Sequence, residues 1–192
     1  GHSGSFLYYP MILAIGLFPW SIILLAVPAH AVFLWRTNRL TSSHFRAVTF
    51  SGSWALIWIG TFAIAGTKLP GYIWPAYPAI SVITALYIAD WLRGRTGWEK
   101  LIFRSMSSEK AADLVMNIGW RTLAAVGICL TTSIPLVLQK IAPGNEWLGL
   151  LGLLPIIAAA AAFLLQRRGH AGLAIGALTT FSILFVATLG GL

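Results

Sequence analysis

Six stretches of mostly apolar residues run through this chain, at roughly 11–34, 48–66, 73–92, 122–139, 147–165 and 171–190. Each is close to the length of about 20 residues that a helix needs to cross the hydrocarbon core of a bilayer. Inside lipid every backbone N–H and C=O must be satisfied within the structure. Helices do this, and none of the six stretches alternates apolar with polar residues as a barrel strand does. Charge content agrees: 9% of the 192 residues are charged, against about 25% in soluble domains, too few to cover a water-facing surface. The expected fold class is an all-α polytopic membrane protein with about six transmembrane helices.

The basic residues set an expected orientation. Arg36, Arg39 and Arg46 follow the first stretch, and Arg93, Arg95, Lys100, Arg104, Lys110 and Arg121 follow the third. Arg167 and Arg168 follow the fifth, so these three loops hold eleven basic residues. The opposite side holds two, Lys68 and Lys140. By the positive-inside rule the rich side is cytoplasmic and both termini face outward. The net charge of +8 is thus spread through loops, not gathered in a stripe, and no nucleic-acid partner is expected. Cys129 is the single cysteine, which excludes an internal disulfide and a thiolate zinc site. The chain opens at Gly1 without the basic-then-apolar pattern of a signal peptide, and is expected to be part of a longer protein. Residues 93–121 form the longest polar stretch, either a solvated loop or an amphipathic helix on the inner leaflet carrying Trp98, Leu101, Ile102 and Met106. The small residues of Ala158–Ala162 suit close helix packing.

Two outer-face segments differ from ordinary loops. One runs from Gly1 to Pro10 and leads into Gly16-Leu-Phe-Pro-Trp20; the other runs from Thr67 to Pro78. In the second, Pro70, Pro75 and Pro78 remove backbone donors and disfavour helix before them. Irregular backbone at a membrane edge is tolerated where it lines a cavity. Lys68 brings a positive charge there, and Tyr72, Trp74 and Tyr77 bring aromatic faces with polar tips. A cation with aromatic hydroxyls suits a phosphate at the bilayer surface, and flat rings suit a sugar. An aromatic belt with a snorkelling lysine is the plain alternative. His2, Tyr8 and Tyr9 share the outer face, and His2 is a candidate donor or proton relay. Pro19 and Trp20 read most simply as a helix kink.

The chain has five carboxylates, Asp90, Glu99, Glu109, Asp113 and Glu146, and only Glu146 faces outward. It is a candidate base for glycosyl transfer, with a cap at the start of the fifth helix as the simpler role. No Ser-His-Asp set, P-loop, HExxH or glycine-rich dinucleotide turn is present. No cofactor or metal is implied. No charge is expected in mid-helix, so a transport pathway has no visible anchor.

The strings His2-Ser-Gly-Ser-Phe-Leu-Tyr-Tyr9 with Gly16-x-x-Pro19-Trp20, and Thr67-Lys68-Leu-Pro70-Gly-Tyr72-Ile-Trp-Pro75-Ala-Tyr-Pro78, resemble the outer-loop signatures of the aminoarabinose lipid A transferase and protein mannosyltransferase-like superfamily. There the second string typically reads Ser-Lys-Leu-Pro-x-Tyr-x-Leu-Pro, from which this chain departs at Thr67 and Trp74. The resemblance implies the C-terminal portion of a larger GT-C multi-helix fold in a bacterial inner membrane, with its active site on the outer face. It implies transfer of a sugar from a polyprenyl-phosphate carrier to lipid A, protein or another envelope acceptor. By that likeness Tyr72 would bind the carrier phosphate with Lys68 beside it, and Tyr8, Tyr9 and His2 would line the same cavity. The family's catalytic aspartate belongs to an N-terminal portion without counterpart in these residues, so they are expected to be inactive alone. A non-catalytic lipid-binding scaffold and a transporter are the competing readings.

Overall fold

The computed structural model describes residues 7–24, 26–36, 42–65, 68–97 and 107–190. Within them the chain is helical, and it divides into two units, Gly1–Val115 and Met116–Leu192. The all-α polytopic class expected from the sequence is the class observed. Ser43–Ile64, Glu109–Ile141, Glu146–Arg167 and Ala171–Thr188 are long and apolar enough to cross a membrane, and Ala76–Leu92 is a shorter apolar helix. Large apolar side chains such as Leu56, Ile64, Leu136 and Ile183 face outward along these helices, as they do when lipid is the solvent.

The first unit holds α1 (Tyr8–Gly16), α2 (Ala26–Arg36), α3 (Ser42–Ile64) and α4 (Ala76–Leu92). The expected continuous helix at 11–34 is replaced by α1, a 3-10 turn at Trp20–Ile23, and α2. Pro19 explains the break: it has no N–H to donate, and its ring pushes the preceding residue away from helical backbone. A kink was expected at Pro19 and Trp20, and a full interruption is found. A second 3-10 turn, Pro70–Ile73, leads into α4. Leu69 before Pro70 is extended, with φ −119° and ψ 143°, as a residue before proline must be to avoid its ring. Pro75 takes the N-cap position of α4, and Pro78 lies in its first turn, where an N–H would have no partner.

α4 ends in a Schellman motif. Gly94, at φ 64°, donates to the Trp91 carbonyl at 2.9 Å, and Arg95 N–H reaches the Asp90 carbonyl at 2.8 Å. This pairing satisfies the last carbonyls of the helix. α3 packs along α4, and α2 also packs on α4.

α5 (Ser108–Ile141) crosses the division between the units. Its start at Ser108 lies ahead of the expected span at 122–139, and of the two forms expected for the polar stretch its second half takes the helical one. Ser107 Oγ accepts the Lys110 N–H at 3.4 Å, and Glu109 lies in the first turn; both favour a helix N-terminus. Residues 98–106, with Trp98, Glu99, Leu101, Ile102 and Met106, lie outside the described residues.

In the second unit α5 is followed by a 3-10 turn, Glu146–Gly152, then α6 (Leu153–Arg167) and α7 (Ala171–Gly190). α6 and α7 pack closely. Ala158, Ala159 and Ala162 are buried on α6, and Ala174, Leu178 and Phe181 on α7. The α7 positions follow the three-and-four spacing of one helix face, and small residues opposite them let the backbones approach. The hydroxyls of Thr179, Thr180, Ser182 and Thr188 bond to carbonyls four residues back. Polar side chains on a lipid-facing helix are satisfied internally in this way. The turn into α6 touches α5 through glycine: a Cβ on Gly152 would lie 2.5 Å from the Thr131 amide nitrogen and 2.6 Å from the Gly127 carbonyl oxygen.

Candidate functional site

The described parts of the two segments expected on the outer face meet in the first unit. Tyr9 of α1 is 1% exposed and belongs to a core with Leu13, Ala55, Ile73, Ala76, Ala79 and Ile80, against which Tyr8, Trp58, Phe62 and Tyr77 pack. The 3-10 turn is held by its neighbours. Trp58 Nε1 of α3 donates to the Tyr72 carbonyl at 2.5 Å. The Tyr72 ring lies against Phe62, with centroids 4.8 Å apart. The prolines therefore set the bend, and α3 aromatics fix its orientation.

Three phenols gather here. Tyr8 and Tyr9 meet edge to face with ring centroids 5.1 Å apart. Burial pushes the Tyr9 phenol above its ordinary value, with Tyr8 and Tyr72 adding to the shift and the Leu69 backbone opposing it. The Leu69 amide falls short of hydrogen-bond geometry, so the buried Tyr9 hydroxyl has no partner among the described residues. A phenol with a raised pKa keeps its proton at neutral pH and is a donor waiting for an acceptor.

The remaining expected residues take different places. Lys68 is half-buried, just ahead of Leu69. The Tyr77 hydroxyl is engaged with α1, donating to the Ile12 carbonyl at 3.3 Å. Gly16 makes room for it, since a Cβ there would collide with the Tyr77 hydroxyl. Trp74 is 68% exposed and turned away from the core. His2 and Thr67 lie outside the described residues. Glu146 accepts the Gly144 N–H at both carboxylate oxygens, 3.1 and 3.0 Å.

An apolar cavity of about 560 Å³ lies in the same unit and shares Leu13, Ala55 and Ile80 with the core beneath Tyr9. Among the described residues no group of three or more His, Cys, Asp or Glu side chains is placed to hold a metal.

A buried polar cluster was missed by sequence reasoning. Asp90, expected at the cytoplasmic edge, is 2% exposed near the end of α4. His30 Nε2 of α2 lies 3.1 Å from Asp90 Oδ2, where its N–H donates to the carboxylate. Arg95 Nη2 donates to Asp90 Oδ1 at 2.7 Å. The Tyr87 ring packs edge-on against His30, with centroids 5.4 Å apart. The available signal was one ionisable residue in each of two apolar stretches, since such groups in membrane helices pair with one another.

No family model matches the chain, and no solved structure matches it. The chain is similar to the undecaprenyl phosphate-alpha-4-amino-4-deoxy-L-arabinose arabinosyl transferase of Yersinia enterocolitica serotype O:8 / biotype 1B (strain NCTC 13174 / 8081). The two are 31% identical over an alignment of 126 residues that takes in 62% of this chain. The chain spans 21% of that relative's length, so the likeness is to one portion of that transferase.

Proposed function

We propose that these residues form part of a membrane glycosyltransferase that takes its sugar from a polyprenyl-phosphate carrier. The acceptor is lipid A, protein or another envelope molecule, reached on the outer face of the bacterial inner membrane. The carrier phosphate docks at the Tyr8, Tyr9 and Tyr72 phenols with Lys68 beside them, and its isoprenoid chain follows the apolar cavity below. The observation that carries this reading is the Tyr9 hydroxyl, buried among aromatic rings at a proline-set bend and without a partner among the described residues. Phenolic donors and an ammonium group stabilise the charge that grows on the phosphate as the sugar departs. The likeness to an enzyme whose name includes undecaprenyl phosphate supports the same donor class.

The test is sugar transfer from undecaprenyl-phosphate-linked sugar by the full-length protein. Hydrogen bonds to charged groups contribute about 1.5–3 kcal/mol, so Lys68→Ala and Tyr72→Phe should each slow transfer by about 10- to 100-fold. Unchanged transfer in both variants rejects the site. Carrier binding without any turnover in the full-length protein would instead favour a scaffold.

A further inference from the structure

The second unit has a cavity of its own along α6. An open cavity of about 290 Å³ between α5 and α6 is lined by Trp120, Ala124, Ile156, Ala159 and Phe163, with Arg121 at its margin. The Trp120 indole donates to Gln166 Oε1 at 2.5 Å, tying α5 to the end of α6. The Arg167 guanidinium lies 4.8 Å above the centre of the Phe163 ring. Arg121 lines the cavity, and Arg167 stacks on Phe163, which lines it too. Among the described residues neither arginine pairs with a carboxylate.

Depth is set by α5. Arg121 and Lys140 bracket its apolar stretch, which at 1.5 Å per residue spans roughly 29 Å, close to the hydrocarbon thickness of a bilayer. The arginines thus stand at headgroup level and the cavity lies just inside the acyl region.

We infer that this cavity binds an anionic phospholipid of the surrounding leaflet, its phosphate held by Arg121 and Arg167 and the upper part of one acyl chain in the cavity. Two arginines beside an apolar slot favour a lipid of net negative headgroup, since a zwitterionic one presents the same phosphate but brings its own cation against the guanidiniums. The inference does not rest on glycosyl transfer.

The experiment is native mass spectrometry of the purified full-length protein, titrated with dioleoyl phosphatidylglycerol or dioleoyl phosphatidylcholine. Phosphatidylglycerol should bind more tightly, by about fivefold for each arginine. The Arg121→Gln/Arg167→Gln protein should bring the two lipids within about twofold of each other. Ala160→Leu, which narrows the cavity, should weaken both. Should the double variant fail to fold, the native protein still decides the matter, because its preference must shrink as salt rises from about 0.05 to 0.5 M. Equal binding of the two lipids, a preference untouched by the double substitution or by salt, or stronger binding of undecaprenyl phosphate than of phosphatidylglycerol would overturn the assignment.

Discussion

An unsatisfied buried hydroxyl costs about 1–3 kcal/mol, and Tyr9, beside two other phenols, has no partner among the described residues. Tyr9→Phe should therefore hold or raise the stability of the protein, by about 1 kcal/mol, while reducing carrier use. Thermal unfolding and sugar transfer measured on the same preparation check the pair of effects; a loss of both would assign the hydroxyl to packing alone. The raised Tyr9 pKa has a pH consequence. Above the ordinary tyrosine value of about 10 the unfolded chain loses a proton that the folded chain retains, so stability falls as pH rises through and beyond that range. Tyr9→Phe should flatten this alkaline decline in a thermal-unfolding series. Asp90 carries the opposite expectation. It is buried and serves both His30 and Arg95, and Asp90→Ala leaves an uncompensated group in the interior. Arg95 is half-exposed and can turn to water, so the loss is that of a buried His30 N–H left without its acceptor, about 1–3 kcal/mol, read as a fall in the unfolding temperature.

At the scale of elements, glycine contacts fix how α5 meets the turn before α6. Gly152→Ala would force its new methyl onto the Thr131 amide and the Gly127 carbonyl, and backbone cannot yield as a side-chain tip can. A destabilisation of about 1–3 kcal/mol is expected, measured by thermal unfolding. The helices themselves were legible to different degrees. α7 was expected at 171–190 and spans those residues, because an uninterrupted apolar run admits one solution in lipid. Pro19 and the start of α5 were misjudged for local reasons. A proline marks disturbance without stating whether helix resumes along the same axis, and a polar first turn capped by Ser107 resembles a loop in composition. The bend at Pro70 was readable because proline fixes its own φ and restricts Leu69. What no local pattern contained was the meeting of Tyr9 with Tyr72, or of His30 with Asp90, both separated by about sixty residues.

For the molecule as a whole, the expected orientation can be read directly. In a Cys129→Ser background, Lys68→Cys should react with a membrane-impermeant maleimide added to intact cells, and Arg93→Cys only after the membrane is opened. Reaction of Arg93→Cys in intact cells, with Lys68→Cys protected, would remove the proposed site from the outer face. α4 runs between these two positions within the first unit. At one end Tyr77 grips the backbone of α1, and at the other Asp90 is locked to α2. A rod fastened at both ends cannot slide along its own axis without releasing a clasp. Any adjustment of the phenol cluster in the proposed sugar transfer must then come from rocking of α4, or from the short turn that precedes it.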